Sequence, residues 1–329
     1  MSHEMYENDS AVYAGQAAWH GLGTVVEESL SPREALAVSG LDWNVEKSAY
    51  ISAPVRGGLA VCKDRVATIR EDTNEILGIV SPNYQIVQNK ELFDIAYELG
   101  GEVKVDTAGS LKNGRQVYVL LKGDTFDATK KGDEVTEYLA LLNSFDGSLG
   151  LGALPTSIRI VCANTLSMAL SSGRGNMFRV RHYGDNMMEK LDALREALVR
   201  YRETGTLFRE TVTQLSSVSW DRQKIQNFWL DVYQTMEGPV TSNPTTEQEE
   251  EDYKKAAVTM GSWAGTFDDE LYVAGASPWN AANAVTNWIQ HKTPSRGRKR
   301  TAASKVQNNL IGEAQKDSIK VMKMALASV

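Results

Sequence analysis

Two cysteines, four histidines and no apolar run approaching the ~18 residues of a membrane span set the first limits on this chain. Cys62 and Cys162 are too few for a disulfide framework. With His3, His20, His182 and His291 scattered along the sequence, no close Cys/His cluster offers a structural zinc site. The N-terminus, MSHEMYENDS, is acidic and polar, unlike a secretory leader. No G-x-x-x-x-G-K-[ST] run occurs, which removes the P-loop route to nucleotide hydrolysis. Overall basic character is missing as well: 35 Lys and Arg stand against 42 Asp and Glu, a net charge of −7. That argues against a packager coated in cations and makes any anion site local. These absences describe a cytoplasmic protein with no membrane, metal or cofactor expected.

What is present is enough apolar material for a real core, 42% of 329 residues. The charge is polarised along the chain. Residues 1–150 hold 13 Lys and Arg against 23 Asp and Glu, a net of −10, and residues 151–329 hold 22 against 19, a net of +3. Such asymmetry suits one half that faces a polyanion, and it equally suits an acidic solubilising half.

Local signals give an α+β order. Ser31, Pro32 and Glu34 form a capping box that starts a helix over roughly 32–39, stopped by Gly40. Alternation in DWNVEKSAYISAPV, GLAVCKDRVATIR and ILGIVSPNYQIV predicts three or four strands with one buried face. Asn89 is expected to cap a helix whose Leu92, Ile95, Ala96 and Leu99 share a face, ended by Gly100. EVKVDTAG, GRQVYVLLKG, EYLALLNSFDG and TSIRIVCA follow as strands, with Asn113-Gly114 as a hairpin turn. From Asp185 to Leu215, apolar residues at threes and fours predict one long amphipathic helix, or two broken near Gly205. Residues 240–252, VTSNPTTEQEEED, read as a mobile acidic loop. Ser277 and Pro278 start a helix that buries Trp279, Ala282, Val285 and Ile289. The last helix runs from Ser304 to Ala327, interrupted at Gly312. The expected architecture is an antiparallel sheet with packed helices over 1–183, then a mainly helical portion over 184–329.

Catalytic chemistry is sparse. His20 beside Trp19 reads as a packed residue rather than a base, and GSLGLG (147–152) as a turn rather than a phosphate loop. Cys162 ends an apolar strand, an environment that raises a thiol pKa. Asp124, Asp127 and Asp146 sit at turns, where turn chemistry explains them as well as metal ligation does. No catalytic residue is assigned.

Two basic segments remain. In GRGNMFRVRHY, Arg174 and His182 accompany a strand alternation that puts Arg179, Arg181 and Tyr183 on one face and Phe178, Val180 and His182 on the other. Guanidinium groups and a ring on an open face suit single-stranded nucleic acid, because phosphates pair with the charges and bases stack on the ring. The plain alternative is an ordinary exposed strand. The second segment, a loop near 292–305, carries Lys292, Arg296, Arg298, Lys299, Arg300 and Lys305 against no acid. Six flexible cations can hold a phosphate backbone without reading bases; a solvated basic loop is the bland alternative.

Two stretches carry a resemblance: L-G-x-V-x-x-x-Y-x-x-x-Q-N over 77–89, and R-x-x-C-x-N-T-L over 159–166. With SPWNAANAVTNWIQH and the basic run after it, the chain resembles phage- and plasmid-like proteins known as a domain of unknown function. That resemblance implies a mobile-element origin and no reaction. A sheet of hairpins followed by helices and basic segments is also similar, in fold alone, to Rad52-like single-strand annealing proteins, which work as rings or filaments. Carried over by position, Arg159, Arg179, Arg181 and the 296–300 run would line a groove, while Tyr84, Asn89, Asn164 and Thr165 would shape the fold. The expected function is a homo-oligomeric, non-enzymatic single-stranded DNA-binding protein that promotes annealing. One competing reading is a metal-dependent nucleic-acid hydrolase using Asp124 and Asp146. Another is a virion-associated or interaction protein without DNA affinity.

Overall fold

The computed structural model describes residues 9–15, 23–98, 103–159, 164–167, 178–183, 192, 205–292 and 312–329. The first helix starts as its residues predict. The Ser31 amide donates to Glu34 Oε2 at 2.9 Å, the Glu34 amide donates to Ser31 Oγ, and α1 runs Pro32–Val38. Gly40, at φ +68°, turns the chain away.

Strands β1 (Ala11–Ala14) and β2 (Thr24–Val26) precede this helix. Five strands follow it, more than expected: β3 (Val45–Lys47), β4 (Ile51–Val55), β5 (Gly58–Cys62), β6 (Val66–Arg70) and β7 (Ile76–Val80). They form two small antiparallel units, a sheet in the order β3-β6-β7 and a separate β4–β5 hairpin. The expectation of one buried face fails for the hairpin, which is exposed on both sides. Alternation reports the pleat and says nothing of what covers it.

Helix α2 (Asn89–Glu98) buries Leu92, Ile95 and Ala96 as expected, whereas Leu99 and Gly100 lie outside the described residues. Asn89 is not its cap. It is the first helical residue, and its buried side chain donates to the Leu41 carbonyl at 2.9 Å. The Gln88 amide takes Glu91 Oε2 at 2.7 Å in its place.

The main sheet then assembles from β8 (Lys104–Leu111), β9 (Gln116–Asp127), β10 (Glu134–Ser144), β11 (Leu151–Arg159), β12 (Asn164–Ser167) and β13 (Phe178–Val180), with β1 and β2 beyond β8. Pairing is antiparallel except between β1 and β2. Lys112, Asn113 and Gly114 all take positive φ in the β8–β9 turn, so the Asn-Gly signal is borne out in a longer loop. One face of β9 and β10, with Val117, Val119, Leu121, Leu139 and Leu141, packs on α1 and α2. The opposite face holds a second cluster that includes Tyr118, Leu120, Tyr138 and Leu142. Each large apolar side chain buried this way stabilises by about 1.5–3 kcal/mol.

The C-terminal part is helical, and the chain is α+β. Residues 205–217 form α3, with Phe208, Val212 and Leu215 fully buried; the rest of the long helix expected from 185 lies outside the described residues apart from residue 192. Helix α4 (Arg222–Glu237) is not among the expected elements. Its cap, Asp221, accepts from the Lys224 amide at 2.7 Å, and Ile225, Phe228, Trp229, Val232 and Tyr233 form its buried face. The acidic loop expected over 240–252 is half helix: α5 (Glu247–Asp269) starts at Thr246, which shares a capping box with Glu249. Carboxylates in a first turn face the positive end of the helix dipole, and Lys254 and Lys255 pair back onto Glu250 and Glu251. Helices α6 (Leu271–Ala274) and α7 (Pro278–Asn287) follow, α7 capped by Ser277 as expected and continued by a π turn, Trp288–Lys292. Helix α8 (Glu313–Ala327) closes the chain, and the expected start at Ser304 lies outside the described residues. Among the described residues no helix is long and apolar enough to cross a membrane.

The two parts are joined at the β9–β10 hairpin tip. Asp127 accepts backbone N–H groups from Thr129, Gly132 and Asp133 at 2.8–3.2 Å. Burial works to raise its pKa, but these amides hold it below the usual carboxylate range. Thr129 Oγ1 donates to the Val273 carbonyl at 2.6 Å, Ser216 Oγ to Ala128 O at 2.6 Å, and Trp279 Nε1 to Asp133 Oδ2 at 2.8 Å. Just below the tip β9 bulges, so that Gly123 and Asp124 face Glu137 alone. Arg209 of α3 spans the bulge, binding both oxygens of Glu137 and one of Asp124 at 2.7 Å each.

Replacing Arg209 by Leu leaves the Glu137 side chain, 4% exposed, without that cation. The variant is expected to lose about 3–5 kcal/mol at neutral pH in urea unfolding. Adding Glu137→Gln should recover part of that loss, because the uncompensated buried charge is then gone.

Candidate nucleic-acid interface

Strand β11 carries two partners along one edge, β12 beside its C-terminal part and β13 beside its N-terminal part. Strand β13 ends at Val180, where its chain leaves β11 to pair elsewhere. The His182 carbonyl accepts from the Gln85 amide at 2.6 Å, and Tyr183 forms an antiparallel bridge with Tyr84. The segment 178–183 therefore crosses from the main sheet to the loop between β7 and α2.

Along this crossing exposure alternates over residues 179–183, with Val180 half-buried and the Phe178 side chain outside the described residues. Arg179, Arg181 and Tyr183 are exposed, whereas His182 is buried and stacks on Tyr84 with ring centroids 4.7 Å apart. His182 Nδ1 donates to the Gln85 carbonyl at 2.9 Å. Tyr183 remains 49% exposed, and its ring meets Tyr84 edge-on at 5.9 Å. Tyr84 is itself fixed: its hydroxyl donates to the Ser144 carbonyl at 2.6 Å, and burial pushes its pKa well above the ordinary tyrosine range. Arg179 Nη2 donates to the Ser148 carbonyl at 3.2 Å. Below it, a Cβ on Gly150 would stand 2.4 Å from the Val180 carbonyl oxygen, so only glycine lets β13 approach β11. Lys47 adds a cation that no sequence signal ties to this place; its Nζ donates to the Pro82 carbonyl at 3.0 Å, two residues before Tyr84.

The other expected residues are placed less fully. Arg159 lies in β11 opposite Val135 and Asn164, and Lys292 ends the π turn; only their backbones are described. Arg174, Arg296, Arg298, Lys299, Arg300 and Lys305 lie outside the described residues, as do His20 and Cys162. Helix α8 packs against both β12 and the π turn, which brings the start of the second basic segment to the elements flanking this sheet edge.

The carboxylates considered for metal chemistry are apart. Asp124 binds Arg209, and Asp146 Oδ1 accepts the Ser148 amide at 2.9 Å in the β10–β11 turn. Most of β10 separates them, roughly 25 Å of strand. Among the described residues no group of three or more His, Cys, Asp or Glu is placed to hold a metal ion.

A family model, a domain of unknown function designated DUF932, matches residues 76–310, well over half of the chain. The chain belongs to the DUF932 family. No curated protein and no solved structure matches it significantly. Within the DUF932 chain the stretch 77–89 works as a clamp between the sheets. Leu77 is in the core, and a Cβ on Gly78 would meet Asp146 Cα at 2.4 Å. The Gln88 side chain pairs with both backbone groups of Val45, accepting from its amide at 2.9 Å and donating to its carbonyl at 2.8 Å.

Gly150→Ala should push β13 off β11 while the rest of the DUF932 chain stays folded, at a cost of about 1–3 kcal/mol. Amide exchange would show lost protection at residues 178–180 and unchanged protection in β9 and β10.

Proposed function

We propose that residues 178–183, together with Lys47 and the basic segment 292–305, bind single-stranded DNA without reading its sequence. The observation that carries this reading is the exposure of Arg179, Arg181 and Tyr183 at alternate positions of one short segment, with the Tyr183 ring edge-on to the buried Tyr84. Alternate residues of a strand stand about 7 Å apart, so two guanidinium groups and a ring follow one another along a line that a phosphate backbone can track. A ring fixed edge-on by its neighbour loses little freedom when a base stacks on its open face. A strand held by its phosphates keeps its pairing edges available, and annealing of complementary strands follows from that. No step needs a nucleotide cofactor or a metal.

Anisotropy titrations of a labelled oligothymidine over a range of salt test this. Arg179→Ala with Arg181→Ala should weaken binding and flatten the plot of log K against log[salt] by about 0.7 per lost phosphate contact. Tyr183→Ala should cost about 1–3 kcal/mol and leave the slope unchanged. Replacing Arg296, Arg298, Lys299 and Arg300 together with Ala should flatten the slope further. Affinity and slope that stay at wild-type values in all three variants would overturn the proposal.

A further inference from the structure

Strands β4 and β5 have the composition of a protein interior and lie on its outside. Their register puts Ala53, Val55 and Ala60 on one face and Pro54, Leu59 and Val61 on the other, so both faces are apolar, as in a strand covered on both sides. Yet Leu59 is 67% exposed and Val55 51%. A two-stranded hairpin alone is marginal in water, and neither outer edge of this one is paired among the described residues. Arg56 stands at its tip, before Gly57 and Gly58 at positive φ, and makes no ion pair among the described residues.

A complementary surface lies at the opposite end of the β3-β6-β7 sheet. The hairpin joins the end of β3 to the start of β6, whereas the acidic turn 71–75 joins the end of β6 to β7. In that turn Asp72 is engaged by Arg70 at 2.6 Å, and among the described residues the Glu71 carboxylate accepts only from the neutral Asn44 side-chain amide, at 3.3 Å. Glu75 has no cation among the described residues, and its shielded Oε2 makes no hydrogen bond. Beside it Ile76 and Ile79 are about 60% exposed on β7, the outer strand of its sheet. An unpaired edge with exposed isoleucines is a ready template for another chain.

We infer that the β4–β5 hairpin of one copy docks on the β6–β7 turn and β7 edge of a second copy of this chain, with Arg56 meeting Glu75 and Glu71 and the apolar hairpin covering Ile76 and Ile79. Head and tail sit at opposite ends of one sheet, so each copy engages two different neighbours. Such a contact closes into a ring or grows as a filament. This assembly stands independently of the proposed DNA binding, and its test contains no nucleic acid.

Sedimentation velocity of the full chain should show species larger than a dimer that grow with concentration. Arg56→Glu and Glu75→Lys should each yield monomers, as should Leu59→Ser at the head and Ile79→Ser at the tail, which report the same ends without a charge change. The double variant R56E/E75K should reassemble. Mixed in equal amounts, the Leu59→Ser and Ile79→Ser variants should form dimers and nothing larger, because each retains one working end. A wild-type chain that stays monomeric at the highest concentration reached, including one whose hairpin instead binds lipid vesicles, would overturn the inference. So would assembly of the single variants as in the wild type, or growth of the mixture past dimers.

Discussion

At the tip of the β9–β10 hairpin, Asp127 to Asp133, the buried Ala128 and Asp133 and the half-buried Thr129 meet the helices while Asp127, Lys130, Lys131 and Gly132 stay exposed, and polar groups at that contact find their partners inside the protein. Asp127 ties the turn to itself, which frees the outer groups of the loop to bind the helices: Thr129 to Val273, Ala128 to Ser216, Asp133 to Trp279. Asp133 and Trp279 are both fully buried, so their hydrogen bond forms in a low-dielectric setting and its loss would be costly. Arg209 is held by the same tip, since the bulge that admits it depends on where the hairpin turns. The position of α3 and of the helices packed on it follows from this one insertion, because Ala128 and Val135 of the hairpin are part of the helical core itself.

A second set of contacts orients the small sheet and, with it, the outward strip at 178–183. Tyr84 touches three separate parts of the chain: the Ser144 carbonyl at the end of β10, the ring of His182 and the ring of Tyr183. Gly78 and Gln88 on either side of it allow the close approach at Asp146 and complete the hydrogen bonding of β3. Within 77–89, Gly78 and Tyr84 therefore hold this segment to the end of β10, while Gln88 and Asn89 tie it to β3 and to Leu41. None of them offers a reactive group to solvent, which fits a framework segment that presents neighbouring residues.

Much of the fold was legible because its signals are local. Ser31 with Pro32 and Glu34, and Ser277 with Pro278, act within one turn of helix, and nothing distant can change what they do. The acidic stretch after 246 was misread because composition was weighed without position: Glu249 is a capping residue only by standing three places after Thr246. Helix α4 shows the reverse problem. Its buried face uses Ile, Phe, Trp, Val and Tyr, which individually favour strands, and only their spacing by threes and fours indicates a helix. Asn89 was out of reach altogether, since its partner is the Leu41 carbonyl, 48 residues away. For the candidate site, the alternation of Arg179, Arg181 and Tyr183 could be read directly. The brace at Tyr84 and the nearness of Lys47 depend on pairings across about a hundred residues, which no local pattern encodes.

Charged side chains on an edge strand have an ordinary use, keeping other chains from pairing with it, and Arg179 and Arg181 would serve that end whatever else they do. Tyr183 separates the two explanations. An edge guarded against pairing gains nothing from a half-exposed aromatic ring, which enlarges the apolar surface the charges are there to interrupt. Here the ring is held beside the guanidinium groups by a buried neighbour that is itself hydrogen-bonded. The edge of β7, by contrast, carries exposed isoleucines and no charge within the strand itself, its carboxylates standing in the turn before it. If charge on this protein were distributed to suppress edge pairing, β7 would need it most. Its absence there, and the presence of both charge and ring at 178–183, favour two edges with different tasks, one proposed to receive a strand of nucleic acid and the other a second copy of the chain.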